Sequence, residues 1–320
     1  MKKVIWFALG AMLFALCSQV KAQQSSTAPR IGYLGGPSAA AELREGLRER
    51  GWIEGQNMLV EYRFAGAKPE QLSEFAAELV RLKADVIVAV STPAAQAARK
   101  ATDTIPIVFS MVSDPVASGL VVSLARPGGN ATGLSNMLPE QSGKLLELLK
   151  ESAPGVSRVA VVWDSANPGK ILELKEMQTV APLLGMTLQS LEVHSEKDVQ
   201  NAFSAISKTR SNGLVTFIDA VTVSHRQKIV DFAAKNRLPS IYQASDFVSA
   251  GGLMSYGANR VELHRRAATY VDKILKGTKP VNLPVERPIK FDLVINFKTA
   301  KQIDLTIPPN LLARADRVIR

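Results

Sequence analysis

Short apolar strands alternating with amphipathic helices, and the return of that whole pattern further along, point to an α/β protein of two Rossmann-like lobes. Arg30-Ile31-Gly32-Tyr33-Leu34 is echoed by Arg158-Val159-Ala160-Val161-Val162-Trp163, 128 residues later. Val86-Ile87-Val88-Ala89-Val90 is echoed by Gly213-Leu214-Val215-Thr216-Phe217, with Leu214 again 128 residues after Val86. Length agrees: a chain of 320 residues exceeds what one compact core usually holds, and two lobes of about 100–150 residues are expected.

The elements follow in order. The strand at 30–34 leads to a helix over 39–50, with Leu43 and Leu47 on one face. A strand at 59–64 precedes a helix over 69–82, whose apolar positions are Leu72, Phe75, Ala76, Leu79 and Leu82. The continuous apolar run at 86–90 suits the centre of a parallel sheet, buried on both faces. A helix over 92–102 and a strand at 105–109 complete the first pass. The second pass has strands at 158–163, 213–217 and 238–242, separated by helices over 168–184, 196–209 and 221–235. Gly128-Gly129-Asn130-Ala131-Thr132-Gly133 reads as a turn before the chain crosses between lobes.

The N-terminus has the anatomy of a secretory signal. Lys2 and Lys3 precede an apolar run from Val4 to Cys17, and Val20-Lys21-Ala22 offers a cleavage site before Gln23. The 14-residue run is shorter than the ~20 residues a membrane span needs, which disfavours an uncleaved anchor. Lipidation at Cys17 is disfavoured by the bulky Leu16 before it. Residues 23–29 form a polar leader. Cys17 is the single cysteine, so a processed chain would have neither disulfide nor thiol chemistry. Cleavage would also remove Lys2, Lys3 and Lys21, leaving a net charge of +7. The remaining basic residues are scattered among Asp and Glu without aromatic platforms, which argues against a nucleic-acid partner.

In parallel sheets of this kind, ligands bind beyond the carboxyl ends of the strands. Ser91 and Thr92 stand there before Pro93, where they either cap a helix or hold a polar ligand group on free backbone N–H donors. Ser113 and Asp114 repeat that grammar before Pro115. In the second lobe Asp164, Asp219, and the pair Ser245 and Asp246 follow three successive strands. Three carboxylates around one cleft would suit an ammonium or a set of hydroxyls, although each also serves as a cap. Tyr256, in the strand near 251–257, is a candidate aromatic wall or a core residue. Catalysis and cofactors find little support. His194, His225 and His264 lack metal-ligand spacing, and neither a Gly-x-Ser-x-Gly elbow nor a Gly-Lys-Ser/Thr phosphate loop occurs. No cofactor is expected.

Several stretches carry a family resemblance. They are Ser91-Thr92-Pro93-Ala94-Ala95-Gln96-Ala97, Ile105-Pro106-Ile107-Val108-Phe109, Ser113-Asp114-Pro115-Val116-Ala117-Ser118-Gly119-Leu120-Val121 and Arg126-Pro127-Gly128-Gly129-Asn130-Ala131-Thr132-Gly133. With Ile274-Leu275-Lys276-Gly277, Leu283-Pro284-Val285-Glu286 and the run from Ile307 to Ala315, the chain resembles the substrate-binding proteins of ABC importers of the tryptophan/tyrosine type. The resemblance implies the type I periplasmic binding protein fold, a Venus flytrap with three crossovers. It implies ligand contacts from Ser91, Thr92, Ser113, Asp114 and Asn136 in one lobe and from Asp164, Asp219 and Asp246 in the other. Trp163-Asp164 and Ile218-Asp219-Ala220 depart from the family's aromatic-Asn and Thr-Asp-Asn patterns, which bears on the ligand rather than on the receptor role.

The expected organisation is a signal peptide at 1–22, a leader at 23–29, lobe 1 at 30–136 plus about 256–279, and lobe 2 at 137–255 plus about 280–320. Crossings fall near Asn136, Ser255 and Lys279, and the helix over 260–275 packs on the first lobe. The expected function is a non-catalytic, periplasmic, monomeric solute receptor serving an ABC permease and its ATPase. A solute sensor for a signalling system is the alternative. A transcription regulator is disfavoured because a signal-like segment stands where a helix-turn-helix should be, and an exported α/β enzyme would require a demonstrated turnover.

Overall fold

The computed structural model describes residues 28–66, 68–136 and 138–320. The signal-like segment with Cys17 and its cleavage site lies outside the described residues. No described helix is long and apolar enough to cross a membrane.

Five parallel strands form the first sheet: β1 (Arg30–Leu34), β2 (Leu59–Arg63), β3 (Val86–Val90), β4 (Ile107–Val112) and β5 (Ala131–Ser135). Their spatial order is β2-β1-β3-β4-β5. Helix α1 (Pro37–Arg48) covers one face through Leu43 and Leu47. Helices α2 (Leu72–Arg81) and α3 (Thr92–Ala101) cover the other through Ala76, Leu79, Ala94 and Ala98. The two faces explain the unbroken apolar run of β3, whose residues have to be buried whichever way they point.

After helix α4 (Leu138–Ser152) the plan repeats in β6 (Arg158–Trp163), α5 (Pro168–Val180), β7 (Thr187–Glu192), α6 (Glu196–Thr209), β8 (Gly213–Thr216), α7 (Ala220–Ser224), α8 (Arg226–Lys235), β9 (Ser240–Tyr242), α9 (Ser245–Ser249) and β10 (Met254–Ala258). Strands β7-β6-β8-β9-β10 take the same order as the first sheet. Helix α10 (Arg260–Leu275) then packs on α1 in the first lobe, burying Leu263, Ala267, Ala268, Val271 and Ile274. The chain returns as β11 (Phe291–Asn296), α11 (Phe297–Gln302), α12 (Pro309–Ala313) and β12 (Arg317–Ile319), with β11 antiparallel to β10.

The pairing refines the repeat. Ile31 faces Val60 as Val159 faces Leu188, so the first two strands of each lobe keep the same offset. The third strands do not: Ile31 pairs with Val86, whereas Val159 pairs with Gly213. The second lobe is therefore one residue shorter between these strands, and Leu214 corresponds to Ile87 rather than to Val86.

Four expectations change. The segment read as a turn at 128–133 runs into β5, which is wholly buried beside β4. Gly133 is what lets it in: at φ +148, a Cβ there would lie 2.0 Å from the Phe109 carbonyl oxygen. The helix expected over 221–235 breaks at His225, because Val221, Thr222 and Val223 are weak helix formers held by a local cap at Asp219. The second crossing falls at Asn259 rather than near Ser255, since Tyr256, Gly257 and Ala258 pair with β11. The third falls at 287–290 rather than near Lys279. Residues 283–286 stay on the first lobe, with the Ser135 amide donating to the Glu286 carbonyl at 2.9 Å and the Thr132 hydroxyl to the Leu283 carbonyl at 2.5 Å. The returning segment on the first lobe thus spans 259–286 instead of about 256–279.

Candidate functional site

Both sheets have the order in which the chain winds outward in opposite directions from β1 and β3, or from β6 and β8. The crevice at that switch point is where parallel sheets bind ligands. In the first lobe it is bounded by Ser91 and Thr92 after β3, and in the second by Asp164 and Asp219 after β6 and β8. The backbone there is strained: Ser91 has φ +97 and Met111, near the end of β4, has φ +59. Non-glycine residues held in such conformations cluster at functional sites.

In the first lobe the hydroxyls bind protein groups. Ser91 Oγ accepts the Ala94 amide at 3.5 Å and caps α3. Thr92 is buried, and its Oγ1 accepts the Ser113 amide at 3.3 Å, tying the ends of β3 and β4 together. Asp114 Oδ1 accepts the amides of Val116 at 3.0 Å and Ala117 at 2.9 Å. Its cap closes a turn and not the expected helix. Asn136 is 2% exposed; its side-chain oxygen has no hydrogen-bond partner, and its amide nitrogen lies 4.0 Å from Met111 Sδ. Met111 packs against the cores of both lobes.

In the second lobe, Asp164 is buried and accepts the Ala166 amide at 3.0 Å, with His194 Nδ1 at 2.9 Å. Asn167 caps α5 and donates from Nδ2 to Asp219 Oδ2 at 2.6 Å. The other oxygen of Asp219 accepts the Ala220 amide at 2.6 Å. Asp219 forms no ion pair among the described residues. Burial pushes its carboxyl up to about 7; Lys170 opposes that shift and Asp164 adds to it, while the bonds from Asn167 and the Ala220 amide hold it down. Part of the residue still faces open space.

The other second-lobe candidates are placed differently. Asp246 is ion-paired with Arg260 at 2.6 Å. Ser245 lines a charged groove of about 770 Å³ with Arg50, Asn259, Arg265, Asp292 and Arg317. Tyr256 packs on Phe291, ring centres 5.8 Å apart, and against the second-lobe core. Of the ten candidates, Thr92, Ser113, Asp164 and Asp219 are gathered around one helix start, that of α5.

That helix start also brings in residues the sequence did not single out. Lys170 and Glu173, 2% and 0% exposed, are paired at 2.8 and 3.1 Å. Gln243 Nε2 donates to Glu173 Oε2 at 2.7 Å, and Gln243 Oε1 accepts the Ile218 amide at 2.8 Å. Ser113 Oγ, from the opposite lobe, donates to Glu173 Oε1 at 2.8 Å. A Cβ on Gly169 would lie 2.8 Å from Ser113 Oγ and 3.1 Å from Thr92 Oγ1, so the lobes touch here. A faint signal was present in the sequence. Helix α5 has no apolar stripe, and its Ile171 is half exposed while Lys170 and Glu173 are inside. Elsewhere, His264 is buried with Nδ1 3.1 Å from Ser110 Oγ; burial and the nearby Arg260 hold its imidazole down at about 3. Among the described residues no cluster of three or more His, Cys, Asp or Glu could hold a metal.

Two doubly wound lobes meeting over polar strand ends define a two-lobe solute-binding protein. The family model for the ABC transporter substrate binding protein matches residues 37–319. A tyrosine-binding protein of Clostridioides difficile is 29% identical over 259 residues, which cover 81% of this chain and 74% of that protein. A conserved domain protein of Vibrio cholerae, known from its crystal structure, superposes with a TM-score of 0.84 at 32% identity, covering 91% of this chain and 100% of the other. The ABC domain in complex with L-Trp from Streptococcus pneumoniae gives a TM-score of 0.84 at 26% identity, over 92% and 100%. The chain belongs to the ABC transporter substrate-binding family, has the type I periplasmic binding protein fold, and is the ligand-binding component of an ABC transporter. The family's role is to bind a small molecule without chemistry and deliver it to a permease. Its members typically work outside the cytoplasm. The sensor alternative is not favoured.

Proposed function

We propose that this chain is a periplasmic receptor, exported by a signal peptide cleaved after Ala22, that works as a monomer with a permease and its ATPase. It closes its two lobes over a small organic solute of amino-acid size and catalyses no reaction. Thr92, Ser113 and Asn136 approach from the first lobe, and Asp164 and Asp219 from the second. The observation that carries this is the interlobe contact at α5, where Ser113 of one lobe donates to Glu173 of the other beside Asp219, whose carboxylate lacks a cation. The tyrosine-binding and L-Trp-bound relatives support the size of the solute.

Closure works by population shift: a solute that touches both lobes favours the closed state only by its excess affinity for that state. A thermal-shift screen of small metabolites tests the assignment, because a ligand specific to the native state raises its melting point. Asp219→Asn, which keeps the cap on α7, is expected to abolish any hit while leaving the unliganded melting point at neutral pH nearly unchanged. Scattering profiles identical with and without a verified tight binder would overturn the closing receptor.

A further inference from the structure

Three donors that could take a ligand carboxylate at the interlobe contact, on Ser113, Lys170 and Gln243, are already committed to a carboxylate of the protein. Ser113 has one hydroxyl proton, and it points to Glu173. Lys170 directs its ammonium at both oxygens of Glu173 and, at 3.5 Å, at Gln243 Oε1. The Gln243 amide nitrogen adds a third donor to the same carboxylate. Glu173 is completely buried, so a second carboxylate arriving here would meet a like charge in a site of low polarity.

The acceptors nearby are in the opposite condition. Asp219 holds amide donors alone, from the Asn167 side chain, the Ala220 backbone and the capping box with Thr222, with no ion pair among the described residues. The side-chain oxygen of Asn136 is buried, unpaired, and beside Met111, which touches both lobes. A buried carboxylate without a cation fits a group that only donates, and an ammonium is that group. We propose that the cleft takes a small solute bearing an ammonium group and no carboxylate, an amine rather than an amino acid. Glu173 fills from within the seat of a ligand carboxylate, and Asp219 receives the cation. This rests on the receptor function proposed above and narrows its ligand.

Matched pairs that differ only by the α-carboxylate test it. They are phenylethylamine and phenylalanine, tyramine and tyrosine, tryptamine and tryptophan, agmatine and arginine, and cadaverine and lysine. Calorimetry or thermal shift with the full mature chain is expected to detect at least one amine, bound about tenfold or more tighter than its amino acid, because buried groups built for one ligand reject its analogue. Glu173→Gln, which frees Lys170 and Ser113, is expected to narrow or reverse that preference. The double variant Lys170→Met/Glu173→Gln removes the Lys170 cation as well, guards against misfolding, and is expected not to gain amino-acid binding. Equal or tighter binding of an amino acid by the wild type overturns the inference and leaves the receptor standing. So does a shift seen only with polyols or neutral metabolites in a parallel panel. Silence from every compound in both panels counts against the receptor as well.

Discussion

The hydroxyl of Ser113 and the carboxylate of Glu173 lie 2.8 Å apart and belong to different lobes, so this hydrogen bond ties the two lobes to each other. Ser113→Ala removes it and leaves Glu173 with Lys170 and Gln243. The expected cost is about 1 kcal/mol, borne by the closed state and not by either lobe's core. Small-angle scattering of the unliganded variant should give a larger radius of gyration, with a melting point close to wild type. An unchanged radius would deny the bond any part in closure.

Gly169 offers a steric version of the same experiment. Its place in the first turn of α5 tolerates alanine, but the added Cβ would press on Ser113 and Thr92 across the cleft. Gly169→Ala is expected to keep or slightly raise the stability of the open protein, since alanine suits helices better by up to ~1 kcal/mol. It should weaken ligand binding at the same time, as seen by titration calorimetry. A fall in melting point with affinity intact would contradict this.

The buried ion pair gives a third test. Lys170→Ala strands Glu173 without its cation, and removing one partner of a buried pair costs about 3–5 kcal/mol. Replacing both residues, as Lys170→Met/Glu173→Leu, is expected to recover most of that loss. Urea denaturation of Lys170→Met, Glu173→Leu and the double variant measures the coupling. Additive losses would mean the two charges are not energetically linked.

Asp219 and His264 predict opposing pH trends. Asp219 has its carboxyl raised to about 7 by burial, against Lys170 and with Asp164, so its contribution is full below about 4 and is lost as pH rises through 7. His264, faced by Arg260, is lowered to about 3, so its contribution is full above about 6.5 and is lost as pH falls toward 3. Each proton is worth up to about 1.4 kcal/mol per pH unit, less for Asp219, which is partly open to solvent. Between about pH 4 and 6.5 the two trends offset each other. Relative to wild type, Asp219→Asn should lose stability on acidification through that range, and His264→Gln should gain it. Parallel melting curves for all three proteins across the range would refute both assignments.

Fold and site were legible to different degrees. Continuous apolar runs such as 86–90 and 159–163 made the strands and the repeat visible, because burial on both faces leaves an unmistakable pattern. Strand β5 was hidden by Gly133, since glycine reads as a turn whether it supplies one or clears space for a neighbouring backbone. Thr92, Ser113, Asp164 and Asp219 were legible from their places at strand ends. Lys170, Glu173 and Gln243 were not, because two charges three apart on a helix look like a solvated face. Segments distant in sequence bury them: Phe217 and Gln243 of the same lobe, and Ser113 of the opposite one. The destinations of Asp246 and Ser245 likewise depend on Arg260 and on a groove that joins distant segments.

The excursion of α10 onto the first lobe means that the chain passes between the halves after Asn136, at Asn259 and at 287–290. Three short straps side by side act like the pins of a door, leaving one swing free and resisting twist or slide. Neither half is a contiguous stretch of sequence. A truncation after β10 would leave the first half uncovered where α10 should lie, and severing any one strap should loosen the axis without parting the halves.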